Sequence, residues 1–126
     1  MTNLRDEARN PETSPQRLRE LINLAGDRGA HDSDAGWCRE YVAANPSAPL
    51  AVLQELAADQ NDLMARLHAA RNPSLDDESL RILAEDRLDL VANAARERLG
   101  LPLRPRPGFR VAGIPRFDPD TGRMTR

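Results

Sequence analysis

An Ala-x-Asn-Pro tetrad occurs three times in this chain, at Ala8 to Pro11, Ala43 to Pro46 and Ala70 to Pro73. Such recurrence constrains the fold more than any local propensity. Units that repeat must bury their apolar faces on one another. Each tetrad leads into a short polar stretch, then a Leu-rich segment, then an acidic stop. Asn10, Asn45 and Asn72 lie 35 and 27 residues apart, so the first unit carries about eight extra residues. The segment Gly26–Gly36, rich in Gly and Asp, is the expected place for that insertion, as a loop.

The repeated residues have physical reasons. A residue before proline is pushed out of the helical region, so the three asparagines mark helix ends. Asn also tolerates the left-handed conformation common at such ends. A proline or cap then opens the next helix: Pro15 after Ser14, Pro49 after Ser47, and Ser74 ahead of Asp76-Asp77-Glu78. Helical spacing follows in Leu18, Leu21 and Ile22, in Leu50, Leu53, Leu56 and Ala57, and in Leu80, Leu83 and Ala84. Between these lie Ala-rich helices expected over Trp37–Ala44, Leu63–Ala70 and Leu88–Leu99. Aromatics are 3% of the chain, so Ala and Leu must build the core, as in closely packed helices.

After residue 100 the chain changes character. Residues 1–99 carry twelve Arg against eighteen acids, whereas residues 100–126 carry six Arg against two acids and five of the ten prolines. All eighteen basic residues are Arg, for which a high-GC genome is the ordinary reading and a surface chosen for bidentate carboxylate or phosphate contacts the other. Residues 1–100 are therefore expected to form the helical body and 101–126 an extended arm, with a turn at Asp118–Gly122.

The residues Tyr41 to Pro49 with Leu53, Leu56, Ala57 and Asp59, then Ala69 to Pro73 with Leu80, Leu83, Ala84 and Asp86, resemble the leucine-rich repeat variant family of bacteria. The likeness runs over residues 8–99. It implies a right-handed superhelix of alternating short helices. Some members of that family hold an iron–sulfur centre on an N-terminal cysteine cluster. One cysteine, Cys38, cannot supply four thiolates, so no cofactor is expected. The expected fold is thus all-α, a short right-handed α-solenoid of about three two-helix repeats with an extended C-terminal arm.

Candidate chemistry is sparse. His31, Asp32, Asp34 and Cys38 are zinc-type ligands close in sequence, and Asp32-x-Asp34 resembles part of a calcium loop. Neither has the required spacing, and the ordinary reading is a polar loop in which Asp34 caps the next helix. Cys38 would need a base such as His31 or His68 to act as a nucleophile, and reads instead as a buried thiol beside Trp37. His68 reads as a half-buried helix residue. Trp37 and Tyr41, one turn apart, are expected to fill the first layer between units, with a binding anchor as the other reading. No catalytic residue and no metal ligand is assigned, and no enzymatic activity is expected.

The functional expectation is a non-enzymatic protein–protein interaction module, an adaptor or accessory subunit of a larger bacterial complex. Its contacts are expected from a solenoid face and from Arg104, Arg106, Phe109, Arg110, Val111, Ile114, Arg116 and Phe117 of the arm. The acidic body and basic arm also permit self-association. The alternative is a nucleic-acid contact through Arg66, Arg71, Arg96, Arg98 and the arm, against which the acidic body argues. The polar N-terminal stretch and the lack of a long apolar run point to the cytoplasm and to no membrane partner.

Overall fold

The computed structural model describes residues 3–26 and 33–105, together with the backbone of 116–118 and 123–125. Seven helices make up the described body: α1 Leu4–Arg9, α2 Pro15–Leu21, α3 Asp34–Ala44, α4 Leu50–Ala57, α5 Leu63–Arg71, α6 Asp77–Leu83 and α7 Asp89–Leu99. Two three-residue strands, β1 Arg116–Asp118 and β2 Arg123–Thr125, pair antiparallel in the arm. Residues 119–122 of the turn expected at Asp118–Gly122 fall outside the described set, as do 27–32 of the expected insertion loop.

The helices start where short polar side chains can hold the first free amides. Ser14 accepts from Arg17 N, Asp62 from Ala65 N and Asp76 from Ser79 N. Two starts differ from expectation. Ser33, not Asp34, caps α3 by accepting from Gly36 N, while Asp34 is the first helical residue. Asp76 rather than Ser74 caps α6. Pro15 does occupy the first turn of α2, whereas Pro49 sits one residue outside α4.

Asn10, Asn45 and Asn72 each close a helix, but in extended backbone (φ −74° to −77°, ψ 120° to 123°), not the left-handed region. The following proline imposes this, since its ring excludes the helical region for the residue before it. The left-handed end belongs to Gly100 (φ 71°), where Leu101 N reaches back to the Arg96 carbonyl at 2.9 Å.

None of these helices exceeds eleven residues, so packing must stabilise them. Alternate helices lie against each other, α1 on α3, α3 on α5 and α5 on α7, with α2, α4 and α6 packed against those neighbours. Leu18, Leu21, Leu53, Leu56, Leu80, Val52 and Val91 are fully buried between them. Each such side chain contributes about 1.5–3 kcal/mol. The Ala residues at 43, 65, 69, 70, 92 and 95 are fully buried in the same helices. Helix α1 was not anticipated from the sequence. It supplies Ala8 and Asn10 to α3, as α3 supplies Ala43 and Asn45 to α5.

Candidate partner-binding site

The arm is fastened to the body by the residue that opens it. Asn93, on the buried face of α7, donates from Nδ2 to the Arg104 carbonyl at 3.0 Å and accepts the Arg104 amide at 2.7 Å. The Arg104 guanidinium then donates to the carbonyls of Asp86 and Ala84 and lies 3.4 Å from Asp89 Oδ1. Arg104 is therefore spent on the body rather than left for a partner. Of the other arm residues expected to meet a partner, Arg106, Phe109, Arg110, Val111 and Ile114 lie outside the described residues. Arg116 and Phe117 are described only as backbone of β1, facing Thr125 and Met124 of β2.

Arg104 completes a row that the sequence conceals. Arg39 and Arg66 are 27 residues apart, the spacing of Asn45 and Asn72, and Asn93 is 27 further on. Arg39 donates to the Ile22 carbonyl (2.9 Å) and to Asp59 Oδ2 (2.6 Å). Arg66, wholly buried, donates to the Asp59 carbonyl (2.9 Å) and grips Asp86 through Nε and Nη2. Where the third Arg would stand, Asn93 instead captures Arg104, whose guanidinium takes the Asp86 carbonyl. Burying a charge is costly unless it is paired and hydrogen-bonded, and these pairs are, except that Arg39 Nε has no hydrogen bond and lies 3.6 Å from Asp62 Oδ2.

A second row runs along the helix ends. Asn45 Nδ2 donates to the carbonyls of Ala8 and Asn10, both at 3.0 Å, and Asn72 Nδ2 to those of Ala43 and Asn45, at 2.8 and 2.9 Å. Arg98 closes the row, donating to the carbonyls of Ala70 and Asn72. Ser47 and Ser74 repeat the theme on Pro11 and Pro46.

The arginines once grouped as a possible phosphate-binding face are thus dispersed. Arg66 is buried on Asp86 rather than solvated, Arg96 binds the carbonyls of Ala84 and Pro102 and the Glu85 carboxylate, and Arg98 binds backbone. Arg71 and Arg98 are both exposed without an ion pair among the described residues, and Arg71 alone of the four also lacks a side-chain hydrogen bond there.

Trp37 and Tyr41 stack at 5.5 Å with rings 25° apart, half-buried. Arg5 and Arg9 of α1 lie over them, 5.7 and 4.9 Å from the ring centres, so the pair joins α1 to α3. Asp34, once a candidate ligand, accepts from Arg5 Nε at 2.8 Å. Cys38 is fully buried, and burial, with the nearby Asp34 charge, pushes its thiol up to about 11. That is the opposite of an activated thiol. His68 is half-buried with Nε2 3.1 Å from Glu40 Oε1. His31 and Asp32 lie outside the described residues. Among the described residues no three His, Cys, Asp or Glu side chains cluster as metal ligands, and no helix is long and apolar enough to cross a membrane.

One surface feature escaped the sequence reading. Ile82 on α6 is 70% exposed and borders a cleft of about 60 Å³ between α4 and α6, lined also by Gln54, Ala57, Ala58, Ser79 and Leu83. The signal was present in the spacing of Leu80, Leu83 and Ala84, which leaves Ile82 off the buried stripe of α6. Comparison with protein-family models, curated proteins and solved structures returns no match for this chain.

Proposed function

We propose that this chain is a non-enzymatic protein–protein interaction module, built as a short right-handed α-solenoid of two-helix repeats that presents an Arg-, Pro- and Phe-rich arm. The observation that carries the reading is the contrast between body and arm. In the body, Arg39 and Arg66, which are buried, and the partly exposed Arg96, Arg98 and Arg104 bond to backbone carbonyls and carboxylates, which leaves few cations to recognise a ligand. The arm beyond Pro105 carries five Arg, two Phe, Val111 and Ile114 on a chain rich in proline. Such a segment binds by ordering on a partner, burying its apolar side chains while its guanidinium groups pair with carboxylates.

The rows of Asn45, Asn72 and Arg98 and of Arg39, Arg66 and Arg104 support the solenoid, because each joins one helix pair to the next through the same bonds. The resemblance to the leucine-rich repeat variant family supplies its handedness. The partner is a protein with an acidic, apolar-lined face, and the setting is the bacterial cytoplasm.

Photo-crosslinking from the arm tests this. A photoreactive residue replacing Phe109 should trap one discrete protein in host cells, while the same residue replacing Gln16 on exposed α2 should not. Equal, diffuse crosslinking from both positions would overturn the assignment.

A further inference from the structure

The exposed cleft between α4 and α6 has a suitable occupant at hand. We propose that it is the docking site for the chain's own segment 106–115, with Phe109 laid over Ile82 and Arg106 and Arg110 facing Glu85 and Glu78. This concerns the free chain, so it goes beyond the interaction reading and does not depend on any partner's identity.

Three observations converge. The first is the apolar surface itself: Ile82 is the most exposed large apolar side chain among the described residues, and the cleft it borders is floored by Ala57, Ala58 and Leu83. An open cleft of about 60 Å³ takes the edge of a ring or a branched aliphatic chain, not a whole ligand. Unlike an isolated surface leucine, an apolar side chain standing over an apolar cleft gains from being covered.

The second is charge. Glu78 and Glu85 stand one helical turn to either side of Ile82, and both are exposed. Glu78 makes no ion pair among the described residues, whereas Glu85 already meets Arg96 at 3.1 Å and lies 3.7 Å from Arg104, and Asp86 is buried against Arg66. Segment 106–115 holds Arg106 and Arg110 and no acid.

The third is position. Asn93 of α7 holds the Arg104 backbone, and the Arg104 side chain reaches the end of α6, with Nη2 3.4 Å from the carbonyl of Ala84, the residue after Leu83 of the cleft. Phe109 follows Pro105 by four residues, an extended reach of about 13–14 Å. The tether also makes the encounter intramolecular, which raises the effective concentration into the millimolar range for a short linker and lets a small contact form.

Paramagnetic relaxation in the full chain tests the proposal. A nitroxide is attached at Ala112→Cys, since Cys38 is fully buried and stays unlabelled. The amide signals of Ala57, Ala58 and Ile82 should be lost, and those of α2 retained. Both Phe109→Ser and Ile82→Arg, the latter at a site too exposed to disturb folding, should restore them. Retention of the signals in the unmutated chain, or their loss in the Ile82→Arg chain as well, would overturn the proposal. Spin-labelled chain at natural abundance mixed with unlabelled ¹⁵N chain identifies the occupant. Loss of the same signals there would mean that a second copy supplies the segment, and would overturn docking within one chain.

Discussion

Asn72 offers a sharp test of how the helix pairs are joined. Its side chain is almost wholly buried, donates to the Ala43 and Asn45 carbonyls at 2.8 and 2.9 Å, and accepts from Ser74 N at 2.9 Å. Asn72→Ala removes all three bonds and strands the Ala43 carbonyl at the end of α3, while the Asn45 carbonyl keeps the Ala48 amide at 3.0 Å. A net hydrogen bond is worth about 0.5–1.5 kcal/mol, and a buried group left unsatisfied costs about 1–3 kcal/mol. The sum is about 3–4 kcal/mol, a large part of the ~5–15 kcal/mol that stabilises a domain. Asn10 has the same sequence context, yet it is exposed, and the only hydrogen bond its side chain makes among the described residues is from Glu12 N at 2.9 Å. Asn10→Ala should therefore cost about 1 kcal/mol or less. Urea denaturation of the two variants measures the contrast, with the midpoint shift several times larger for Asn72→Ala. Equal shifts, or a loss below about 1 kcal/mol at Asn72, would refute the role given to the ladder.

Other outcomes follow from the same geometry. Arg66→Met leaves Asp86 buried and unpaired and should cost about 3–5 kcal/mol, with much of the loss recovered in Arg66→Met/Asp86→Leu. A double-mutant cycle in which the two losses simply add would sink the coupling. The hydrogen bond from Arg17 holds Glu7, and that from Ser79 holds Asp76, below the usual carboxylate range. A depressed folded pKa gives stability that is present above the ordinary carboxylate pKa and lost as pH falls through the folded value. Melting temperature should thus drop on acidification below about pH 4. Glu7→Gln should flatten the drop; an unchanged slope counts against it. Cys38 should react with a disulfide reagent at neutral pH only as fast as the protein opens, and rapid stoichiometric labelling of native protein would contradict its burial.

The helical body was legible because its punctuation is local. Asn-Pro, Ser-Pro and Leu spacing fix where helices begin and end, and six of the seven lie where those signals put them. Helix α1 was missed because only Ala8 to Pro11 of its unit matches the repeated pattern. The buried arginines were misjudged for a different reason. Arg66 looks like any surface arginine in sequence, and only its partner Asp86, twenty residues away, makes its burial possible. The common spacing of Arg39, Arg66 and Asn93 was a visible signal that the Asn-Pro repeat overshadowed. The arm's anchor was illegible altogether, because Arg104 takes a role that its sequence position does not share with Arg39 or Arg66.

The central claim is that the arm beyond Pro105 is the recognition element. Affinity capture from the native host with the full chain, beside a chain ending at Pro105 that keeps the Arg104 anchor, tests it most directly. The account predicts that one protein is recovered by the full chain and lost with the truncation, although the truncated body melts at the same temperature. Recovery of the same protein by both chains would contradict it.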